Sequence, residues 1–165
     1  MKDGASEIVE VKGLWVHLWL HGETNPTAEL WESNLEHARS VMQARQASLR
    51  NYRGLVFSDG AAPNAKQRDQ LARGLLGGVP VRSSVVTNVL DNPVKRGVAT
   101  ALQWLNPLIR FYTPPDVVQA LAHIGLEDAW HDLLSHLHEL QVGVVPVRAL
   151  RDAERVMRRG SRSAR

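Results

Sequence analysis

The chain has 165 residues, enough for one domain with a buried core. Its apolar fraction of 44% is too high for a disordered chain, and the absence of cysteine excludes disulfides and thiolate chemistry. The formal charge is +3, but Arg158, Arg159, Arg162 and Arg165 lie in the last eight residues, and without them about −1 remains. The basic character therefore belongs to the C-terminal end, and nucleic acid is not expected as a partner.

The N-terminal segment MKDGASEIVEV has no apolar run of the signal-peptide type. No stretch of the sequence is apolar enough to cross a membrane. Together with the absence of cysteine, these features predict a cytoplasmic protein that does not insert into membranes.

The first half of the chain predicts a hairpin, a helix and a central strand. Alternating residues predict strands over 7–11 and 14–20, with a turn at Gly13. Apolar residues at helical spacing predict a helix over 27–46. The stretch YRGLVFSDGAAPN then predicts a buried strand over 55–57, which ends in a polar loop.

From residue 55 onward, a strand is followed by a helix three times. Helices are predicted over 65–76, 93–105 and 117–124, and further strands over 81–87 and 108–112. Short connections of this kind give parallel strands with right-handed crossovers. The predicted architecture is an α/β domain with a mixed four- to five-stranded sheet over 1–126, a helical extension packed on it over 127–157, and a disordered basic tail over 158–165.

The order of elements and four phrases, RGLVFSDG, VRSSVVTN, VKRGVATALQWLNP and IRFYTPPDVVQALAHIGL, resemble STAS-like domains. That group is related to the anti-anti-sigma antagonist of sporulation and to Sec14-type lipid-binding domains. The resemblance covers residues 7–126 and implies a non-catalytic module of bacterial-type signalling that contacts a protein partner or a second copy of itself. It also implies a phosphorylatable serine at a strand-to-helix junction, where this chain has Phe57, Ser58, Asp59 and Gly60. The alternative for Ser58 and Asp59 is that they close the strand by bonding loop amides.

A second hypothesis uses the carboxyl ends of the strands, where open α/β sheets bind ligands. Several polar residues are predicted to meet there, and two predicted helices begin there, so a lipid or an anionic metabolite is the alternative ligand. The candidate ligand or regulatory residues are Ser58, Asp59, Gly60, Asn64, Thr87, Asn88, Asn92 and Lys95.

Aromatic residues suggest where a partner would bind. Trp15, His17 and Trp19 share one face of the second predicted strand. That face is either covered by the C-terminal extension or exposed as a contact for a protein partner. Trp31 and Trp104 fall on inward stripes of their helices and are predicted to belong to the core.

Catalytic and cofactor motifs are missing from the sequence. Neither a GxxxxGK[ST] loop, a GxGxxG loop nor a GxSxG elbow occurs. His131, His136 and His138 share one predicted helix without the spacing of a metal pair, and Asp59 lacks the acidic pair of a receiver domain. We therefore expect no catalytic residues, no metal and no cofactor, and a regulatory or interaction module that forms homodimers or binds another protein.

Overall fold

The computed structural model describes residues 1–163 and contains one five-stranded mixed sheet. The strands run in the order β1-β2-β3-β4-β5; β1 is antiparallel to β2, and the other neighbours are parallel. Their bounds are Gly4–Val11, Leu14–His21, Tyr52–Ser58, Ser83–Thr87 and Ile109–Tyr112. The predicted α/β class, the N-terminal hairpin and the mixed sheet are confirmed.

Six helices cover the sheet, and the four that the sequence delimits begin within one residue of their predicted starts. They are α1 (Ala28–Ala44), α2 (Ala65–Asp69), α3 (Pro93–Leu105), α4 (Val117–Ile124), α5 (Trp130–Gln141) and α6 (Arg148–Ser163). The prediction of a single helix over 65–76 is only partly right, because α2 passes into a π-helical segment, Gln70–Leu75. No helix within residues 1–163 combines the length and the hydropathy that crossing a bilayer requires.

The hairpin closes through the two residues Lys12 and Gly13. Their φ angles are 51° and 75°, so both are in the left-handed region. Two positive φ values in a two-residue loop define the type I′ turn, whose twist matches that of antiparallel strands. Glycine adopts such a φ without steric cost, which explains Gly13.

One face of the sheet forms the main core, which we call the leucine face. Val16, Leu18 and Leu20 of β2 and Leu55 and Phe57 of β3 are fully buried there. They pack against apolar side chains of α4, α5 and α6. The C-terminal extension therefore covers the leucine face.

The opposite face, which we call the aromatic face, carries Trp15, His17 and Trp19. The prediction that the C-terminal extension covers it is wrong, because α1 and the π-helical segment pack there instead. His17 is 1% exposed and Trp19 is 4% exposed. Trp19 stacks on Trp31 of α1 with ring centroids 5.1 Å apart. His17 and Trp19 are therefore interior packing, Trp15 is half-buried against the same cluster, and the three side chains do not form an open strip for a partner.

Helix α3 lies over the same aromatic face but is only loosely attached to it. It contains no buried residue. Trp31 is buried as predicted, but the prediction of a core position for Trp104 is wrong, since Trp104 is 83% exposed. The inward side of α3 carries Val98, Ala99 and Leu102 instead. One tryptophan is therefore left in solvent while the sheet below α3 is incompletely covered.

The predicted tail over 158–165 differs from the structure in its first part. Residues 158–163 continue α6, and an ion pair between Arg158 and Glu154 supports the helix one turn apart. A matching ion pair joins Arg155 to Asp152. The last two residues of the predicted tail, including Arg165, lie outside the described residues.

Burial of two histidines makes the fold sensitive to acid. Desolvation, with smaller contributions from nearby His37 and His21, lowers the pKa of His17 from 6.5 to about 3. Desolvation also lowers the pKa of His21 to about 4. Both imidazoles are therefore neutral in the folded state, whereas the unfolded chain protonates them below about pH 6.5.

We expect the free energy of unfolding to fall by about 2.7 kcal/mol per pH unit between about pH 6 and pH 4.5, because unfolding takes up two protons there. Urea unfolding followed by circular dichroism over this range measures the slope. His17→Gln keeps a group that can bond the Tyr52 hydroxyl, which lies 2.6 Å from Nδ1 of His17. This variant should show about half the slope. An unchanged slope in His17→Gln would contradict this assignment.

Candidate functional site

The strands β3 and β4 end at the edge of the sheet where the sequence places a ligand. Ser58 is 4% exposed, and its hydroxyl accepts a hydrogen bond from the Gly60 amide at 3.1 Å and donates one to the Ala61 carbonyl at 3.1 Å. The hydroxyl thus closes the loop, as the alternative hypothesis for Ser58 predicts. Gly60 has a φ of 125°, a conformation that other residues rarely adopt.

Asp59 joins this edge to the C-terminal extension. Its carboxylate accepts the backbone N–H groups of Arg148 at 2.7 Å and Ala149 at 2.8 Å, the first two residues of α6. The carboxylate is buried, and the Arg148 side chain also pairs with Asp59 and with Glu23. A negative group at this position satisfies free amides and the positive end of the helix. Asp59 is therefore a helix cap contributed from 89 residues away.

Asn64 and Asn92, two of the candidate ligand or regulatory residues, both cap helices. Asn64 accepts the Gln67 amide at 2.9 Å while the Gln67 side chain accepts the Asn64 amide at 2.8 Å, which makes a capping box for α2. Asn92 accepts the amides of Val94 and Lys95 at the start of α3. Both side chains are used in helix termini.

Thr87 and Asn88 also bond to nearby protein groups. The Thr87 hydroxyl accepts the Val89 amide at 3.4 Å. The Asn88 amide donates to Asp152 of α6 at 3.4 Å. The structure therefore brings the predicted residues to one edge, but most of their polar atoms stabilise loops and helix ends.

Lys95 differs from its neighbours. Its ammonium group donates to the Gly60 carbonyl across the gap between α3 and the β3 loop. Lys95 is half-buried, and it forms no ion pair with any carboxylate of residues 1–163. It is therefore a cation that is held in place and not neutralised.

Beside Lys95 lies a feature that the sequence did not predict, an apolar cavity between α3 and the aromatic face. Its cavity volume is about 120 Å³, and it is partly open to solvent. This volume is below the roughly 300–1,000 Å³ of a typical small-molecule site, so a whole ligand would have to displace α3 to fit. Its wall is mostly hydrophobic; the sheet contributes Trp19, Val56, Val85, Ile109 and Phe111, and α3 contributes Val98, Ala99 and Leu102.

The void extends further along the same face. A second cavity of about 70 Å³, also partly open, shares Trp19, Val56 and Leu102 with the first and reaches Tyr52 and Leu105 near the amino ends of the strands. The two cavities are adjacent spaces beneath α3 that share these three side chains. Together we call them the α3 cavity.

Few polar groups line the α3 cavity. Ser58, Thr87 and Lys95 lie at the end where the strands finish, together with His21. Trp31 lines the wall, and its buried indole N–H has no hydrogen-bond partner among residues 1–163. An unsatisfied buried donor costs free energy, so a ligand acceptor there would be stabilising.

Sequence reasoning placed Lys95, Ser58 and Thr87 correctly at the edge but did not find the cavity. The signal that it overlooked is the run of small residues in Gly60-Ala61-Ala62-Pro63, which line the cavity mouth without filling it.

Comparisons of the chain with protein-family models, with curated proteins and with solved structures found no match. Within the part of the chain that the structure describes, no three histidine, cysteine or acidic residues are grouped so that they could hold a metal ion.

The cap formed by Asp59 should be important for stability. We expect Asp59→Ala to lower the free energy of unfolding by about 2–4 kcal/mol, because it leaves two buried amides at the start of α6 without an acceptor. Asp152→Ala is the matched control, since Asp152 pairs with Arg155 on the surface and should contribute less than about 0.5 kcal/mol. Urea unfolding of both variants measures the difference, and equal losses would contradict the role of Asp59.

Proposed function

We propose that the protein is a non-catalytic binding protein for a small anionic amphiphile, a molecule with one apolar chain and one acidic head group. The observation that carries this proposal is the α3 cavity, an apolar space with Lys95 in its wall. An apolar void that remains empty forfeits packing and dispersion contacts, so filling it with hydrocarbon is favourable. This ligand class matches the lipid or anionic metabolite expected from the strand-end crevice.

The geometry also supports an orientation for the ligand. Lys95, Ser58 and Thr87 lie at the end of the cavity formed by the carboxyl ends of the strands. An acidic head group there would exchange the bond from Lys95 to the Gly60 carbonyl for a charge-assisted hydrogen bond, which is the stronger interaction. The apolar chain would extend under α3 toward Leu105. Because α3 has no buried residue, it can shift to admit the chain at little cost in packing.

The head group and the chain can be tested separately with dodecanoate and dodecan-1-ol as probes, in isothermal titration calorimetry. We expect Lys95→Gln to weaken dodecanoate binding by about tenfold, the loss of one charge-assisted hydrogen bond, and to leave dodecan-1-ol binding unchanged. Ala99→Phe fills the cavity and should abolish binding of both probes.

Thr100→Phe is the matched control, because Thr100 is the next residue of α3 and is exposed. It should bind both probes as the natural chain does. The proposal fails if neither probe binds the natural chain, or if Ala99→Phe binds them as well as Thr100→Phe does.

A second candidate function is the regulatory or interaction module that the resemblance to STAS-like domains implies, with a second copy of the chain as the partner. The observation in its favour is the outer surface of α3, where Trp104 is 83% exposed and Val94 is 74% exposed. Large apolar side chains in solvent are typical of contact surfaces, and tryptophan is enriched among residues that contribute most to binding.

If α3 forms a homodimer, sedimentation velocity should show the mass of two chains, and Trp104→Ser should give the mass of one chain at the same concentration. Val142→Ser is the control, because Val142 is equally exposed but follows α5. A single chain at every concentration would contradict self-association through α3.

A further inference from the structure

Near the amino ends of the parallel strands, Arg53 and Arg82 lie side by side, and Arg110 lies on the next strand two residues further along. The strand register places Arg53 of β3 beside Arg82, which directly precedes β4, and pairs Arg110 of β5 with Ser84. Because side chains alternate along a strand, all three point to the leucine face, near the C-terminal end of α4. We call these residues the arginine row.

Two members of the arginine row are held in place by backbone carbonyls. Arg53 donates from Nε to the Ile124 carbonyl at 3.2 Å and from Nη1 to the Tyr52 carbonyl at 2.8 Å. Arg110 donates from Nη1 to the Pro107 carbonyl at 2.7 Å. These bonds fix the guanidinium groups and leave further N–H donors free, since each guanidinium has five.

The positive charges of the row are not neutralised within residues 1–163. None of the three arginines forms an ion pair there, although Glu127 and Asp128 follow α4 by only a few residues. Arg82 is exposed and its side chain makes no hydrogen bond within the described chain. Burial, and then the charge of Arg82, lower the pKa of Arg53, so the repulsion between the two is a free-energy cost in the unliganded protein.

We propose that the arginine row is a binding site for a compact phosphate group, distinct from the α3 cavity on the opposite face of the sheet. Guanidinium forks match the geometry of phosphate oxygens and bind them with paired, charge-assisted hydrogen bonds. Neighbouring strands are about 4.8 Å apart, so arginines on adjacent strands can reach one phosphate or diphosphate together. An anion there also removes the repulsion between Arg53 and Arg82.

Phosphate fits this site better than a single carboxylate does. Three arginines offer more donors than the two oxygens of one carboxylate can accept, whereas a phosphate has at least three acceptor oxygens and a larger negative charge. Because Arg53 and Arg110 are already fixed, binding orders only the side chain of Arg82, which limits the entropic cost.

The test uses inorganic pyrophosphate in isothermal titration calorimetry with the full chain. We expect binding that weakens as salt rises, and at least about a tenfold loss of affinity in Arg82→Gln. The affinity of Arg82→Lys should lie between those of the natural chain and Arg82→Gln, because lysine keeps the positive charge but lacks the paired donors of the guanidinium group. Arg151→Gln, which changes an exposed arginine of α6 outside the row, should bind as the natural chain does.

A parallel experiment distinguishes a soluble phosphate from a lipid head group. Co-sedimentation with phosphatidylcholine vesicles, with and without phosphatidic acid, shows whether the site also accepts a phosphate on a membrane. If co-sedimentation with phosphatidic acid vesicles requires Arg82, the natural ligand is a lipid phosphate. If the chain binds pyrophosphate but does not co-sediment with these vesicles, the natural ligand is a soluble phosphate. Failure of pyrophosphate to bind, or equal binding by Arg82→Gln and Arg151→Gln, would overturn the proposal; thermal unfolding confirms that both variants fold.

Discussion

A single buried carboxylate connects the central strand to the end of the chain. Asp59 follows β3 directly and accepts the first two amides of α6, so the C-terminal helices are held on the leucine face of the sheet. Ala149, Leu150 and Ala153 of α6 then enter the main core. Without this contact a helix terminus would be buried with unsatisfied amides, which folded proteins rarely tolerate. The main role of the polar loop after β3 is therefore structural, because it fixes the start of α6.

The two faces of the sheet are closed in different ways, and this asymmetry accounts for the α3 cavity. The leucine face is sealed by three helices that all contribute buried side chains. The aromatic face is sealed by α1 and the π-helical segment over β1, β2 and β3, whereas over β4 and β5 it is covered by α3, whose inward residues are at most half-buried. The cavity lies where that cover is incomplete, and its apolar wall is the sheet surface that α3 fails to reach.

Local sequence patterns were sufficient for the strands, the helix starts and the asparagine caps, because these depend on spacing and on neighbouring residues. They failed where the outcome depends on residues far apart in the chain. The local sequence predicts only a loop position for Asp59, and the tertiary fold brings the amide of Arg148 next to it. Trp104 shows the same limit, because a helical stripe predicts an inward side only if a partner surface is close enough. The family resemblance remains a prediction that rests on four phrases of the sequence.

The α3 cavity and the arginine row lie on opposite faces of one sheet, so they make separable claims about the molecule. The cavity is lined mostly by apolar side chains, with Lys95 at one end and Arg68 in its second part, and the proposed ligand is a hydrocarbon with an acidic end. The row supplies three cations with little apolar surface, and selects for a phosphate group. Strand β3 contributes a residue to each site: Val56 lines the α3 cavity, and Arg53 belongs to the arginine row. Because the two sites use different side chains of β3, substitutions at Lys95 and at Arg82 test the two proposals independently.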